Sequence, residues 1–151
     1  MAGHSFYHVF EHIVFSTKDR MALITPAVEK ELHSYLAATI RNMGCECWKI
    51  GGRIEHVHIL VRKSSTLLTP ELIKEVKRTS SKWIKTKGEA WRDFHWQRGY
   101  GAFSVSYSLL ENVRQYIVNQ PKHHQNMTWE DEFRALLIKN GIEFDERYFL
   151  D

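Results

Sequence analysis

The sequence predicts an α+β fold: a four-stranded antiparallel sheet of ferredoxin-like, RRM-like βαββαβ order, with two helices on one face and two further helices at the C-terminal end. Three observations carry this prediction. Short runs with a period of two alternate in a fixed order with longer runs of period 3.6. Pro, Gly and Thr punctuate the boundaries where such runs should start and stop. No linker-like or repeated stretch interrupts them, so residues 1–151 are expected to form one domain with a single core.

The first strand is expected over Ser5–Thr17, where Tyr7, Val9, Ile13 and Phe15 alternate with the polar His8 and His12. A helix should follow, with Thr25 as N-cap, Pro26 at its first position, Val28, Leu32, Leu36, Ile40 and Met43 along one face, and Gly44 as its stop. "CECWKIGGRI" and "HVHILVRK" read as an antiparallel pair, with Gly51 and Gly52 breaking the first run and Glu55 near the turn. Thr69 and Pro70 repeat the cap chemistry for a second helix, whose inner stripe is Leu72, Ile73, Val76, Trp83 and Ile84. "HWQRGYGAFSVS" supplies the fourth strand, with Gly99 and Gly101 indicating a bulge or a close backbone approach. A third helix is expected from Ser108, in a capping box with Glu111, until Pro121 stops it. A fourth is expected from Thr128 to Asn140 and Gly141.

Composition narrows the function classes. With 43% hydrophobic and 26% charged residues the chain reads as an ordinary soluble protein, and no apolar run approaches the roughly 20 residues a membrane helix needs. "MAGHSFYHVFEH" carries no basic segment followed by an apolar one, so a cytoplasmic location is expected. Cys45 and Cys47 are too close in a strand for an unstrained bridge and are read as reduced. Charge is uneven: Arg62 to Arg98 holds ten Lys or Arg against four acids, and Met127 to Asp151 three against seven. The basic middle suits a polyanion partner, although a charged run is also what a solvated helix face looks like.

The chemistry centres on His56 and His58. Residues i and i+2 of a strand point the same way, so the two imidazoles project from one face while Val57, Ile59 and Val61 pack on the other. Two neutral imidazoles at that spacing can reach one ion, yet an H-x-H pair alone also fits two half-exposed histidines with no ion. Tyr116 and Gln120 lie four apart, on one side of the third helix at the margin of its stripe of Leu109, Leu110, Val113 and Ile117. His123 and His124 read as a loop that touches phosphate or nothing.

Taken together, "EHVHILV", the basic helix, "WQRGYGAFSVS" and "VRQYIVNQPKHH" resemble the single-tyrosine HUH transposases of bacterial insertion sequences, including the REP-associated tyrosine transposases. "HIVFSTKDR" and "EFRALLIKNGIEFDERY" extend the resemblance over nearly the whole chain. It implies that His56, His58 and Gln120 ligate a divalent metal, Mg²⁺ or Mn²⁺, and that Tyr116 is the nucleophile. It also implies single-stranded DNA marked by hairpins as substrate, a 5′-phosphotyrosine intermediate, and a homodimer in which sites can be shared between subunits. Two histidines and an amide bring no protein charge, so the ion would be held weakly and completed by substrate phosphate.

Arg62, Lys63, Lys74, Lys77, Arg78, Lys82, Lys85 and Arg98 are the candidates for backbone contacts, and Trp96, Tyr100 and Phe103 for stacking on unpaired bases, with a core role open for each ring. The alternative reading is a domesticated hairpin-binding protein without strand-transfer activity, which would have no use for Tyr116 and Gln120 in that arrangement.

Overall fold

The computed structural model describes residues 5–151. Four strands, β1 (Phe10–Ser16), β2 (Glu46–Arg53), β3 (His56–Arg62) and β4 (Gly101–Val105), form one antiparallel sheet in the order β2-β3-β1-β4. The helices are α1 (Glu29–Asn42), α2 (Thr69–Ile84), α3 (Leu110–Val118), a single turn α4 (Gln120–His123) and α5 (Trp129–Lys139). The βαββαβ order and the α+β class are those the sequence predicts.

The first strand is shorter than expected, because Tyr7 and Val9 lie outside it and are exposed. Within it the polar–apolar alternation does not mark inside and outside, since both faces of the sheet are covered. Ile13, Phe15, Val57, Ile59 and Val61 join Leu32, Leu36 and Ile40 of α1 and Leu72, Ile73, Val76 and Ile84 of α2 in the main core. On the opposite face Phe10 and Leu60 pack with Leu110 and Ile117 of α3, and Val14 and Phe103 pack with Trp129, Phe133 and Leu137 of α5. The second face is therefore not open sheet. It carries a layer formed by the C-terminal helices.

Several boundary expectations change. α1 begins at Glu29, and the Thr25 carbonyl, not its hydroxyl, accepts from the N–H groups of Val28 (3.0 Å) and Glu29 (2.9 Å), so Thr25 and Pro26 form a lead-in turn. Gly44, at φ +83, does end the helix, where a residue with a Cβ would be strained. Thr69 is not a cap: its hydroxyl lies within the first turn of α2, donates to the Glu11 carboxylate at 2.7 Å and accepts from Lys63 Nζ at 3.0 Å. The capping box at Ser108 does not form, because Glu111 instead accepts from Arg114 and Gln115. Pro121 does not stop a continuous helix either. α3 ends at Val118, the chain bends at Asn119, and Pro121 occupies the first turn of α4, where its missing N–H costs nothing. Thr128 caps α5 as expected, its hydroxyl accepting from the Asp131 N–H at 3.1 Å.

α3 rests directly on β2 at Gly51. A Cβ there would stand 2.7 Å from both the backbone oxygen and the Cγ2 of Ile117, closer than atoms can approach. Gly51 pairs with His58 in the ladder, so this close approach is what brings Tyr116, next to Ile117, over the histidine pair.

Candidate active site and metal centre

His56 and His58 point from β3 into the layer beneath α3–α5, and both are fully buried. Leaving such rings unpartnered would cost desolvation energy, so the surrounding polar groups carry the arrangement. Gln120 Oε1 lies 2.8 Å from His56 Nε2, and Gln120 Nε2 donates to Glu132 Oε2 at 2.6 Å. Three imidazoles aim Nε2 at a single atom, Glu132 Oε1: His124 at 2.8 Å, His58 at 3.2 Å and His56 at 3.3 Å. The Tyr116 hydroxyl donates to the other carboxylate oxygen, Glu132 Oε2, and its ring sits 5.6 Å from that of His58. Trp129 closes the cluster by stacking on His56 at 4.3 Å.

Gln120 reaches the pair from α4 and Tyr116 from α3, so the two converge across the bend at Asn119, not along one helix face. Within the single chain Gln120 bonds His56 and the Tyr116 ring lies against that of His58. Cavities flank the site on two sides. One of about 280 Å³ opens beside Tyr116, Glu132, His123 and Lys139, and one of about 360 Å³ beside Arg20, Arg53, Glu55 and His124.

The electrostatics follow from burial and from Glu132. Burial opposes ionisation of Glu132, but hydrogen bonds from His124, His56 and His58 outweigh it and hold the carboxyl far below its usual range. His56 is raised: burial works against its charged form, and its bonds to Glu132 and Glu55 overcome that. Burial takes His58 down to about 4 and, with the nearby charge of His58, His12 down to about 3. Burial, then the charge of Glu132, pushes the Tyr116 hydroxyl well up, so the resting phenol keeps its proton.

The donor set suits a cation. His56, His58 and Glu132 offer ligand atoms that all lie within 4.8 Å of one another. The Gln120 amide oxygen stands beside them. Imidazole nitrogen, carboxylate and amide oxygen together form a donor set that could hold a divalent ion. The carboxylate changes the sequence-based picture of a ligand set without charge, since Glu132 adds one negative charge to it.

The family model described as "Transposase IS200 like" matches residues 5–120 of this chain. The chain belongs to the IS200-like transposase family. Among solved structures, a Deinococcus radiodurans R1 protein described as a transposase is 22% identical, with a TM-score of 0.63 over 80% of this chain and 96% of that one. A REP-associated tyrosine transposase bound to a REP hairpin is 13% identical, with a TM-score of 0.61 over 82% of this chain and 74% of that one. Both likenesses concern the fold. No curated protein matches the chain.

The family match ends at Gln120, and Glu132 and His124 lie beyond it. Neither was expected in the site. His124 is not an exposed loop residue: its side chain is 7% exposed and bonded to Glu132. Glu132 did leave a signal in the sequence. It falls on the buried stripe of α5 with Trp129, Phe133 and Leu137, and an acid on an apolar stripe calls for a buried partner. His12, left without a role, lies 2.8 Å from His58 through its Nε2.

The DNA-contact candidates separate by exposure. Lys63 is 7% exposed and bound to Thr69, and Lys77 Nζ is occupied by the carbonyls of Gln97 (2.8 Å) and Gly99 (2.7 Å), so these two hold the fold together. Trp96 is buried between Phe15 and Phe94 and donates to Ser80, and Phe103 is buried, so neither ring is free to stack on a base. Arg62 pairs with Glu46 and Arg78 with Glu75. Lys74, Arg78, Lys82, Lys85 and Arg98 remain on the surface, with Tyr100 at 37% exposure. Among the described residues no helix is long and apolar enough to cross a membrane.

Proposed function

We propose that residues 1–151 act as one HUH-type domain, a DNA strand transferase that cleaves and rejoins single-stranded DNA at hairpin-marked ends. The observation that carries this reading is the convergence of the Tyr116 hydroxyl, His56, His58, Gln120 and Glu132 in one buried cluster of a chain belonging to a transposase family. A divalent ion, Mg²⁺ or Mn²⁺, held by His56, His58 and Glu132 with Gln120 beside them, would supply Lewis-acid polarisation of the scissile phosphate.

Tyr116 is the nucleophile in this reading. Its oxygen bonds to phosphorus while the bond from phosphorus to the 3′ oxygen breaks, leaving a 5′-phosphotyrosine and a 3′-hydroxyl. Glu132 Oε2, the hydrogen-bond acceptor of the phenol, orients it, while the phenol proton passes to solvent as attack proceeds and the departing 3′ oxygen takes one from solvent. Attack by a second 3′-hydroxyl reverses the exchange, so joining needs no external energy source. The site is complete within one chain, and a homodimer would carry two. Lys74, Arg78, Lys82, Lys85 and Arg98 would hold the DNA backbone, and Tyr100 would stack on an unpaired base. Hairpin recognition is proposed from the structurally similar REP-associated transposase, which is bound to a REP hairpin.

Incubation with end-labelled single-stranded hairpin DNA and Mn²⁺ should yield a covalent protein–DNA adduct that Tyr116→Phe abolishes while hairpin binding stays within about 2-fold. An adduct that persists in Tyr116→Phe removes Tyr116 from the role. Tight hairpin binding with no adduct from the wild-type chain would favour the domesticated binding protein.

A further inference from the structure

We propose that the cavity walled by Arg20 and Arg53 is a phosphate subsite: it grips the leaving strand through the phosphodiester next to the scissile one and so keeps the 3′-hydroxyl at the site for rejoining. The inference rests on the strand-transfer reading above and adds to it the path of the DNA past the histidines.

In an in-line displacement at phosphorus the leaving oxygen departs on the side away from the nucleophile. Tyr116 and Glu132 line the cavity of about 280 Å³, so the phenol attacks from that flank. The cavity of about 360 Å³ belongs to the His56 flank, and Tyr116 is not in its wall. Three of its wall residues touch the cluster: Glu55 lies 2.6 Å from His56, His124 lies 2.8 Å from Glu132, and Trp129 stacks on His56. Met127 lines both cavities, so a strand laid across it runs from one to the other. The second cavity falls within the roughly 300–1,000 Å³ of small-ligand sites, which accommodates a sugar-phosphate unit.

The fold delivers both guanidinium groups to this wall. Arg53 is the ladder partner of His56, and directly opposed residues project from one sheet face, so Arg53 leaves β2 on the side of the histidines. Arg20 follows Asp19 in two successive left-handed residues, at φ +55 and +56. Residues with a Cβ hold that conformation only where the surroundings impose it, and such positions cluster at ligand sites. Here the Arg20 N–H donates to the Thr17 carbonyl at 3.1 Å, and the Thr17 hydroxyl donates to the Met21 carbonyl at 2.7 Å. Arg20 meets Glu130 Oε1 only at 3.8 Å and the Leu150 carbonyl only at 3.4 Å, and among the described residues Arg53 has no ion-pair partner. Of the two acids in the wall, Glu55 is bonded to His56 and Glu130 is half exposed, so a phosphate can displace its long contact with Arg20. Guanidinium forks match phosphate oxygens and read no base.

The test uses the full chain, Mn²⁺ and single-stranded DNA with a hairpin 3′ of the cleavage point and a label on the 5′ flank. One DNA has native linkages, and a second has a neutral methylphosphonate at the linkage next to the cleavage point on its 5′ side, the point being mapped from the adduct. The readouts are the rate at which the labelled 3′-hydroxyl strand leaves the adduct and the yield of its joining to a second end. Arg53→Ala and Arg20→Asn, the latter tolerant of a left-handed backbone, should each speed release about 10-fold, the loss of one charge-assisted bond, and lower joining by a similar factor. Adduct formation should stay within about 3-fold, and Arg53→Lys should recover part of the loss because it restores the charge without the fork. The methylphosphonate should speed release from the wild type equally and add little in Arg53→Ala. A wild-type chain that releases both DNAs at one rate, a result that needs no variant to fold, overturns the subsite while leaving strand transfer intact. So does a methylphosphonate effect undiminished in both Arg53→Ala and Arg20→Asn. A wild-type chain that forms no adduct with native DNA overturns the strand-transfer reading itself.

Discussion

The two faces of β3 are equally dry and depend on different things. Val57, Ile59 and Val61 meet the aliphatic side chains of α1 and α2, where any neighbour of suitable volume serves. His56 and His58 are as buried, yet each ring nitrogen has one particular partner: Glu55 or His12 on one side, and Glu132, with Gln120 for His56, on the other. Burial does not distinguish core from site here. The distinction is whether a contact can be exchanged. One face depends on filled volume, and the other on particular hydrogen-bond partners.

This contrast can be broken from either side. The largest stability effect is expected on the aliphatic face: Leu36→Ala, at a fully buried position of α1, should cost about 2–5 kcal/mol in denaturant unfolding. Mn²⁺ affinity of the folded fraction should stay within about 2-fold. His56→Ala should reverse the pattern, with Mn²⁺ binding reduced about 100-fold or more in titration calorimetry. Equal loss from both variants would erase the distinction.

Gly51→Ala sharpens the comparison, because it pushes α3 off β2 without touching a polar side chain. Overpacking of this kind should cost about 1–3 kcal/mol. Adduct formation by Tyr116 should fall further than Mn²⁺ affinity, since His56 and His58 stay on β3.

Acid should act on the polar face first. His12 and His58 ionise at about 3 and about 4 in the folded chain, against 6.5 in the unfolded chain, so unfolding takes up protons below pH 6.5. Their stabilisation is fully present above pH 6.5 and is lost as pH falls toward 4 and then 3, at about 1.4 kcal/mol per pH unit for each proton. His56, being raised, runs the other way and contributes more below 6.5. The metal-free chain should lose thermal stability between pH 6.5 and 4 in scanning calorimetry, and His12→Gln should flatten that fall. The smallest effect is expected far from both faces: Arg98→Ala should reduce the salt slope of hairpin binding by about 1, with the adduct unchanged.

The strand order was legible because the alternation of "HVHILV" and the helical stripes of α1 and α2 each repeat one period over enough residues. The ends of elements were not: the Thr69 hydroxyl is taken by Glu11 and Lys63, Glu111 bonds Arg114 and Gln115 and not Ser108, and Thr25 contributes its carbonyl. In the site, strand spacing singled out His56 and His58 and helical spacing Tyr116 and Gln120, but only resemblance joined the two pairs, because no local pattern links residues about 60 positions apart. Glu132 and His124 were missed because they are joined to β3 only through the packing of α5, a long-range contact invisible in spacing. Lys63 and Trp96 show the converse, as residue types suited to DNA that the fold takes inside.

Trp129 lies nearly parallel to His56, at 19° and 4.3 Å. An indole in that position feels whatever charge the imidazole carries, and protonated imidazoles quench indole emission. The molecule thus contains its own optical gauge of the charge on His56, readable without a label once the other four tryptophans are replaced by phenylalanine.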